Sequence, residues 1–537
     1  MTGTPHLADH PTPNPGFPRW TKSGLNVTNG RDPLALETIT ANQIMPILLP
    51  GVVVLSRRAR YMSFSLFLLD EFHRRGGTEQ GELGRFVRGG EFDLLLAVRQ
   101  CERLGCGGNA PATVGYFAVQ AAMARSDGNV VERGESVEGT LGGYGQQYRS
   151  LLIALGLIAE RGMEYEEKPL RMDRITTRGR PIADAFRRAV ESTQWYQEFL
   201  GNDHPIPLAA VRELSEAACL CRLRDTESER ALIDRAMFGE DSRPSPDEVM
   251  RRRGFALSLG ALASDPGAER DEGVWRQYIW DRAQEASGKS DAQADAAAAW
   301  GAMVAKEWYQ QALATMWSNL SAWGRANQAA AGFTPGEVRK GIRSTLAGPG
   351  ETFGAAYGPE QSAEELSRLL QAALATRSLE SLQRDAVKAP YSATDGLALL
   401  LVLLSRLPVD MPPSWEAIGR QRSFFQPGVL TFCGWLKGQL ERGVTVADLL
   451  ENILVDRVLT AHDRVASDRL PNFIFRWRFE NGRWRFLSQL WSGPFALGGS
   501  RHEALVRLSQ DLDLWARNGD RIDLTTRGRT LVELAWK

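Results

Sequence analysis

From Trp275 to Trp323 the chain runs without a proline and repeats apolar and aromatic side chains at helical spacing. Trp275, Tyr278 and Ile279 open the stretch and Ala292 to Met303 is rich in alanine. Trp308, Leu313, Met316, Trp317, Leu320 and Trp323 close it. Apolar residues recurring every three or four positions over such a length predict helix with a buried face throughout. Gly288 and Gly301 mark the expected breaks. Aromatics at this spacing read as core rather than as a platform for stacking bases.

A chain of 537 residues is too long for one hydrophobic core. Composition shifts predict consecutive segments. Residues 1–23 read as a disordered tail rich in Pro, Thr and His, and 24–192 as a helical region ending in a winged-helix-like module. Residues 193–346 and 360–470 read as two helical domains, with the Gly- and Pro-rich stretch 347–359 as a hinge. Residues 471–537 read as a β-hairpin followed by a second winged-helix-like module. The fold class expected is mainly α with small β-wings.

Two stretches carry that winged-helix reading. Between Tyr148 and Val190, a helical stripe of Leu151, Leu152 and Leu155 stops at Gly156-Leu157-Ile158. A charged segment follows, then Ile175-Thr176-Thr177-Arg178-Gly179-Arg180, then a helix with Ile182, Ala183, Phe186 and Val190 on one side. Helix, wing, Thr-Thr start signal and helix resemble the back half of a winged-helix domain of the MarR or PadR kind. Near the C-terminus the pattern returns: Ala504, Leu505, Leu508 and Leu512 precede Asn518-Gly519-Asp520 and then Thr525-Thr526-Arg527-Gly528-Arg529. A shared Thr-Thr-Arg-Gly-Arg is an internal similarity above chance, with the Thr pair ending a strand and capping a helix.

Between those modules the period changes once. Phe475, Trp477 and Phe479 alternate with Arg476 and Arg478, and Trp484 and Phe486 alternate with Arg483 and Arg485 across Asn481-Gly482. Asn-Gly between alternating runs predicts a hairpin. Its arginine face reads either as a phosphate contact or as a solvated face guarding an edge strand.

The five cysteines are Cys101, Cys106, Cys219, Cys221 and Cys433. An odd, scattered count predicts reduced thiols in the cytoplasm. Two close pairs supply enough thiolates for zinc, but neither has the usual two-residue knuckle spacing, so buried inert thiols are the expectation and no metal or cofactor is assigned. The glycine-dense Gly139–Gly145 lacks the Lys-Ser/Thr ending of a phosphate loop and reads as a flexible lead into the first module. His462-Asp463 reads as a partly exposed helix pair rather than a general base. Glu164-Tyr165-Glu166-Glu167-Lys168 has the look of a nuclease tail but reads as wing charge. No catalytic constellation emerges, so the chain is read as non-catalytic.

With 64 basic and 65 acidic residues there is no global field drawing the protein to nucleic acid, and contact with duplex DNA would need local patches. The candidates are Arg149, Arg174, Arg178, Arg180, Arg476, Arg478, Arg483, Arg485, Arg527 and Arg529. The basic run Arg57-Arg58-Ala59-Arg60, ahead of the helix from Tyr61, reads as arginines solvating the end of a buried helix. No charged-then-apolar signal opens the chain, and the longest apolar run, Leu397–Leu404, is too short to span a bilayer.

Leu49-Pro50-Gly51, Arg57 to Arg60, Tyr61 to Leu69 and Gly143 to Leu157 follow one another in an order that resembles uncharacterised bacterial proteins of defence and mobile islands. The resemblance implies a cytoplasmic, DNA-associated scaffold or subunit of a multiprotein anti-phage system. An adaptor that binds other protein subunits, or an unrecognised metal-dependent nuclease, are the alternatives.

Overall fold

The computed structural model describes residues 32–101, 106, 115–126, 129–137, 139–165, 168–240, 243–327, 331–346, 348–388, 391–469, 475–487 and 499–537. The expected N-terminal tail lies outside them. Helix dominates, and every sheet among the described residues is a two-stranded antiparallel ribbon. The mainly α architecture with small β-wings holds.

The chain divides into two compact units, each built from discontinuous stretches rather than from the consecutive segments that composition suggested. One unit, here the long-helix unit, takes the stretch ending at Met45 together with Arg276–Gly499. The other, the wing unit, takes Pro46–Trp275 and Ser500–Lys537. Both Thr-Thr-Arg-Gly-Arg segments therefore belong to the wing unit.

In the long-helix unit the alanine-rich stretch forms one helix, Ala292–Ala326, capped by the Asp291 carboxylate accepting from Ala294 N–H. It packs against Ala393–Ser405 and Pro413–Gly419. Of the two glycines expected to break it, only Gly288 does so, at φ +76° beyond the preceding helix Glu272–Glu285. Gly301 lies inside an unbroken helix, because a Cβ there would collide with Ala283 and with the Trp415 ring. It is a packing glycine. The same holds in the wing unit, where Gln80–Arg99 runs straight through Gly89-Gly90. A Cβ on Gly90 would sit 2.8 Å from Leu68.

Thr334 and Glu337 form a capping box on helix Pro335–Ser344. Asn481 and Gly482, at φ +52° and +76°, turn the predicted hairpin. They pair Trp484 with Phe479 and Phe486 with Trp477. The stretch expected to be a hinge holds another small ribbon, Gly350–Thr352 paired with Ala355–Tyr357.

The wing unit contains the same local structure twice. In the first copy, helix Arg149–Ala154 ends at Gly156 with φ +67°, and Leu157 N–H returns to Leu152 O at 2.9 Å. Thr176 N–H donates to Leu157 O, Thr176 Oγ1 donates to Gly156 O at 2.8 Å and accepts from Gly179 N–H at 3.2 Å. In the second, helix His502–Asp511 ends at Asp513 with φ +59°, and Leu514 N–H returns to Ser509 O at 2.9 Å. Thr525 N–H donates to Leu514 O, Thr525 Oγ1 donates to Asp513 O at 2.7 Å and accepts from Gly528 N–H at 3.1 Å.

Residue for residue, the hydrogen bonds coincide. In both copies a Cβ on the motif glycine would overlap the leucine carbonyl oxygen, Leu157 for Gly179 and Leu514 for Gly528. The motif is thus a folding signal: threonine locks the returning strand, and glycine lets the next helix start against it. Helix Arg180–Val190 packs on Arg60–Arg74, and helix Thr526–Trp536 packs on Pro246–Ser264.

Candidate functional site

The ten candidate arginines occupy three settings. In the first module, Arg149 binds Asp173 and Glu160, Arg178 binds Glu248, and Arg180 binds Asp70 at 3.2 Å. In the second, Arg527 binds Asp234 at 3.0 Å, and Arg529 bonds Leu524 O and Thr526 Oγ1. On the hairpin, Arg478 and Arg485 converge on Glu480, and Arg483 bonds Gly332 O and Glu337. Arg476 is buried, which lowers its pKa from the ordinary arginine value. Arg174 is exposed on its strand.

The partners decide what these arginines can do. Asp173, Asp70, Glu480 and Glu248 have side chains no more than 10% exposed. Turning such an arginine toward a phosphate would take one partner from a carboxylate that keeps others, Arg187 on Asp70, Tyr144 Oη on Asp173 and Ser245 N–H on Glu248. On the hairpin's arginine face Arg478 and Arg485 share the single carboxylate of Glu480, at 3.5 and 3.7 Å, which leaves that group with net positive charge.

The basic run before the Tyr61 helix is likewise internal rather than solvated. Arg58 binds Asp511 at 2.9 Å, and Arg60 is fully buried, paired with an equally buried Glu229 at 3.0 Å. Ser63 Oγ donates to Glu229, and Arg60 also donates to Cys219 O at 2.8 Å. Burial works against the Arg58 cation, but the Asp511 carboxylate outweighs it and holds the pKa above the ordinary value.

The glycine-dense loop does cradle an acidic group, and that group is the Glu91 carboxyl. Its carboxylate accepts from Gly143 N–H at 2.9 Å, Tyr144 N–H at 2.6 Å and Ser136 Oγ. A Cβ on Gly142 (φ +59°) would sit 2.6 Å from Glu91 Oε2. Burial nevertheless pushes the Glu91 carboxyl up to about 7, against those hydrogen bonds. His462 is not partly exposed but completely buried. Its Nε2 accepts from Arg476 N–H at 3.0 Å, which leaves the ring proton on Nδ1, facing Pro33 O. Burial drives its pKa down to about 3, so it is a neutral structural histidine. Glu164–Tyr165 pairs with Lys168–Pro169 as the first wing's hairpin, while Glu166 and Glu167 lie outside the described residues.

One open cleft of about 460 Å³ lies beside the second motif. Asp234, Arg235, Glu240, Arg252, Thr526 and Arg527 supply its polar lining. Its charges are nearly balanced, with Arg527 bound to Asp234 and Arg252 bonding Phe238 O and Glu240 O.

The feature that spacing did not reveal is a cluster of four thiols in the wing unit. Helix Gln80–Arg99 packs against Leu208–Ala218, and both end at the same place. Cys101 follows the first helix, Cys219 caps the second, and the tight turn Leu220–Asp225 brings back Cys221. Cys106 completes the group. All four sulfurs lie within 4.8 Å of one another. The pairs Cys106–Cys219, Cys219–Cys221 and Cys101–Cys221 stand at 3.4, 3.5 and 3.7 Å. None of the four is in a disulfide; Cys219 is buried and the other three are partly exposed.

Crowding raises the Cys219 pKa, first through its bond to Cys106 and then through Cys221 and burial. For Cys106, the bond to Cys219 works downward, but Cys221, burial and Cys101 together push the thiol up to about 11. Cys433 stands apart in the long-helix unit, buried and pushed up to about 12 by desolvation, and it alone fits the expectation of an isolated inert thiol. Sequence showed two close pairs of cysteines but not that two packed helix ends would join them.

Comparison of the chain with protein-family models, curated proteins and solved structures gave no match.

Proposed function

We propose that the protein is a non-catalytic adaptor, a subunit of a multiprotein assembly whose two helix–wing–helix modules serve structure and protein contact rather than base reading. One observation carries this reading: seven of the ten candidate arginines bind carboxylates of their own unit. Most of those carboxylates are buried, so the arginines are committed to the fold. The near balance of 64 basic and 65 acidic residues supports the same reading, because it provides no long-range attraction for a polyanion. Helix–wing–helix modules serve many functions, and the architecture by itself assigns none. The setting we propose, following the resemblance to bacterial defence-island proteins, is a cytoplasmic anti-phage complex.

A second reading, DNA association, draws on Arg174, exposed on its strand beside the first wing, and on Arg529, which bonds a backbone carbonyl and a hydroxyl. Binding of the purified chain to labelled duplex DNA, from about 50 to about 300 mM salt and with and without Mg²⁺, separates the readings. The adaptor predicts no salt-sensitive retention, no cleavage, and stable co-elution with products of neighbouring genes. Tight binding that falls steeply with salt and is lost in Arg174→Ala/Arg529→Ala would replace the adaptor by the DNA scaffold. Products that depend on Mg²⁺ would make the protein a nuclease.

A further inference from the structure

We propose that Cys101, Cys106, Cys219 and Cys221 form a closed tetrathiolate zinc site that fastens the ends of two helices in the wing unit. Zinc holds four thiolates at about 2.3 Å in a tetrahedron, which sets neighbouring sulfurs about 3.8 Å apart. The closest pairs here stand at 3.4, 3.5 and 3.7 Å, and no pair exceeds 4.8 Å. An iron–sulfur cluster places several iron and sulfide atoms between its cysteines and requires wider separation. The spacing fits one ion surrounded by four sulfurs.

Chain geometry supplies what such a site needs around it. Cys219 and Cys221 flank a single residue at a turn. Arg60, itself paired with Glu229, donates to the Cys219 carbonyl at 2.8 Å and so fixes the backbone that carries this ligand. With four protein ligands and no open position, the site is structural rather than catalytic. Three of the four thiols are partly exposed, which gives an ion a way in.

The location explains why the site matters. Cys101 and Cys106 lie more than a hundred positions from Cys219 and Cys221, so one ion would close a long loop across the wing unit. Without metal, crowded thiols contribute only weak S–H···S contacts. Binding energy at a site that exists only in the folded chain is folding energy.

The test is metal content of the full chain, purified without a metal-chelate step and measured by plasma mass spectrometry. The expected result is one zinc per chain, retained in Cys433→Ser and reduced to background in Cys219→Ser/Cys221→Ser. Should the double variant fail to fold, cobalt exchanged into the wild-type chain decides the matter. A tetrahedral ligand-field spectrum with thiolate-to-cobalt charge transfer supports the site, and a six-coordinate spectrum without it overturns it. Zinc absent from the wild type, zinc undiminished in the folded double variant, or iron in its place would each overturn the assignment.

Discussion

In the wing unit Arg60 and Glu229 pair with neither side chain exposed, Arg187 bridges Asp70 and Glu71, and Asp93 is held by Arg133 and by Trp195 Nε1 at 2.8 Å. Rings pack around those charges, Arg60 over Phe186 and Arg187 over Phe67, while the long-helix unit packs rings with fewer buried ion pairs among the described residues. Trp280 packs edge-on against Trp308 and Trp415, Tyr309 lies on Phe432, Trp317 on His462, and Trp323 on Phe333. Arg276–Glu307 is a buried ion pair there too, but ring packing fills most of the interior. Aromatic packing stabilises through area and tolerates small shifts in geometry. Buried charge is costly unless every partner is in place, so it specifies register more than it adds stability.

The largest expected effect breaks the wing unit's central pair. Glu229→Ala should cost about 3–5 kcal/mol, because Arg60 is left buried and unpaired. Replacing both partners with apolar residues, Arg60→Met/Glu229→Leu, should recover most of it. Trp308→Ala in the long-helix unit should cost a similar 3–5 kcal/mol or so with no such pairwise rescue. Denaturant unfolding of wild type and these three variants measures both costs. Equal losses in the Glu229 single and the double variant would remove the distinction between the units.

The pH responses should oppose one another, with each tenfold change in proton affinity worth about 1.4 kcal/mol. Glu91 holds its proton more tightly in the fold, at about 7 against an ordinary 4.5. Its contribution is therefore full below pH 4.5 and is lost as pH rises through 7. His462 holds its proton less tightly, at about 3 against 6.5. Its contribution is full above pH 6.5 and is lost as pH falls toward 3. Glu91→Gln should flatten the first slope and leave the second, read as midpoint against pH for each unfolding transition. A slope unchanged by Glu91→Gln would mean another group carries it.

The smallest effect concerns the repeated motif. Gly179→Ala and Gly528→Ala should each cost about 1–3 kcal/mol, because the new methyl meets a backbone carbonyl that cannot turn aside. At an exposed helical site the same change would gain up to about 1 kcal/mol. Matching losses at the two glycines, measured by thermal unfolding, would establish that both copies are built alike in solution, and a gain at either would separate them.

What the sequence made legible was whatever is written locally. The Asn481-Gly482 turn and the helix after Asp291 depend on residues a few positions apart, and both appear, the helix without the break expected at Gly301. The Thr-Thr-Arg-Gly-Arg likeness was legible as identity, though its meaning was not. Its threonine and glycine carry the shared geometry, and its arginines serve the separate acids Glu248, Asp70 and Asp234. Ligand spacing is a rule about one turn of chain. It carries no information about Cys101 and Cys106 meeting Cys219 and Cys221 through the packing of two helices. The same distance hid Glu229 from Arg60 and Asp511 from Arg58.

Glu91 and the loop Gly139–Gly145 make up a receptor and its ligand carried on one chain. Because Glu91 belongs to the same fold, its carboxyl does not have to be captured from solution. An external phosphate would have to displace a resident that is always within reach and already bonded to Gly143 N–H and Tyr144 N–H. Glycine density in a loop is therefore a measure of how closely some anion approaches the backbone, and here the approaching group is supplied from within.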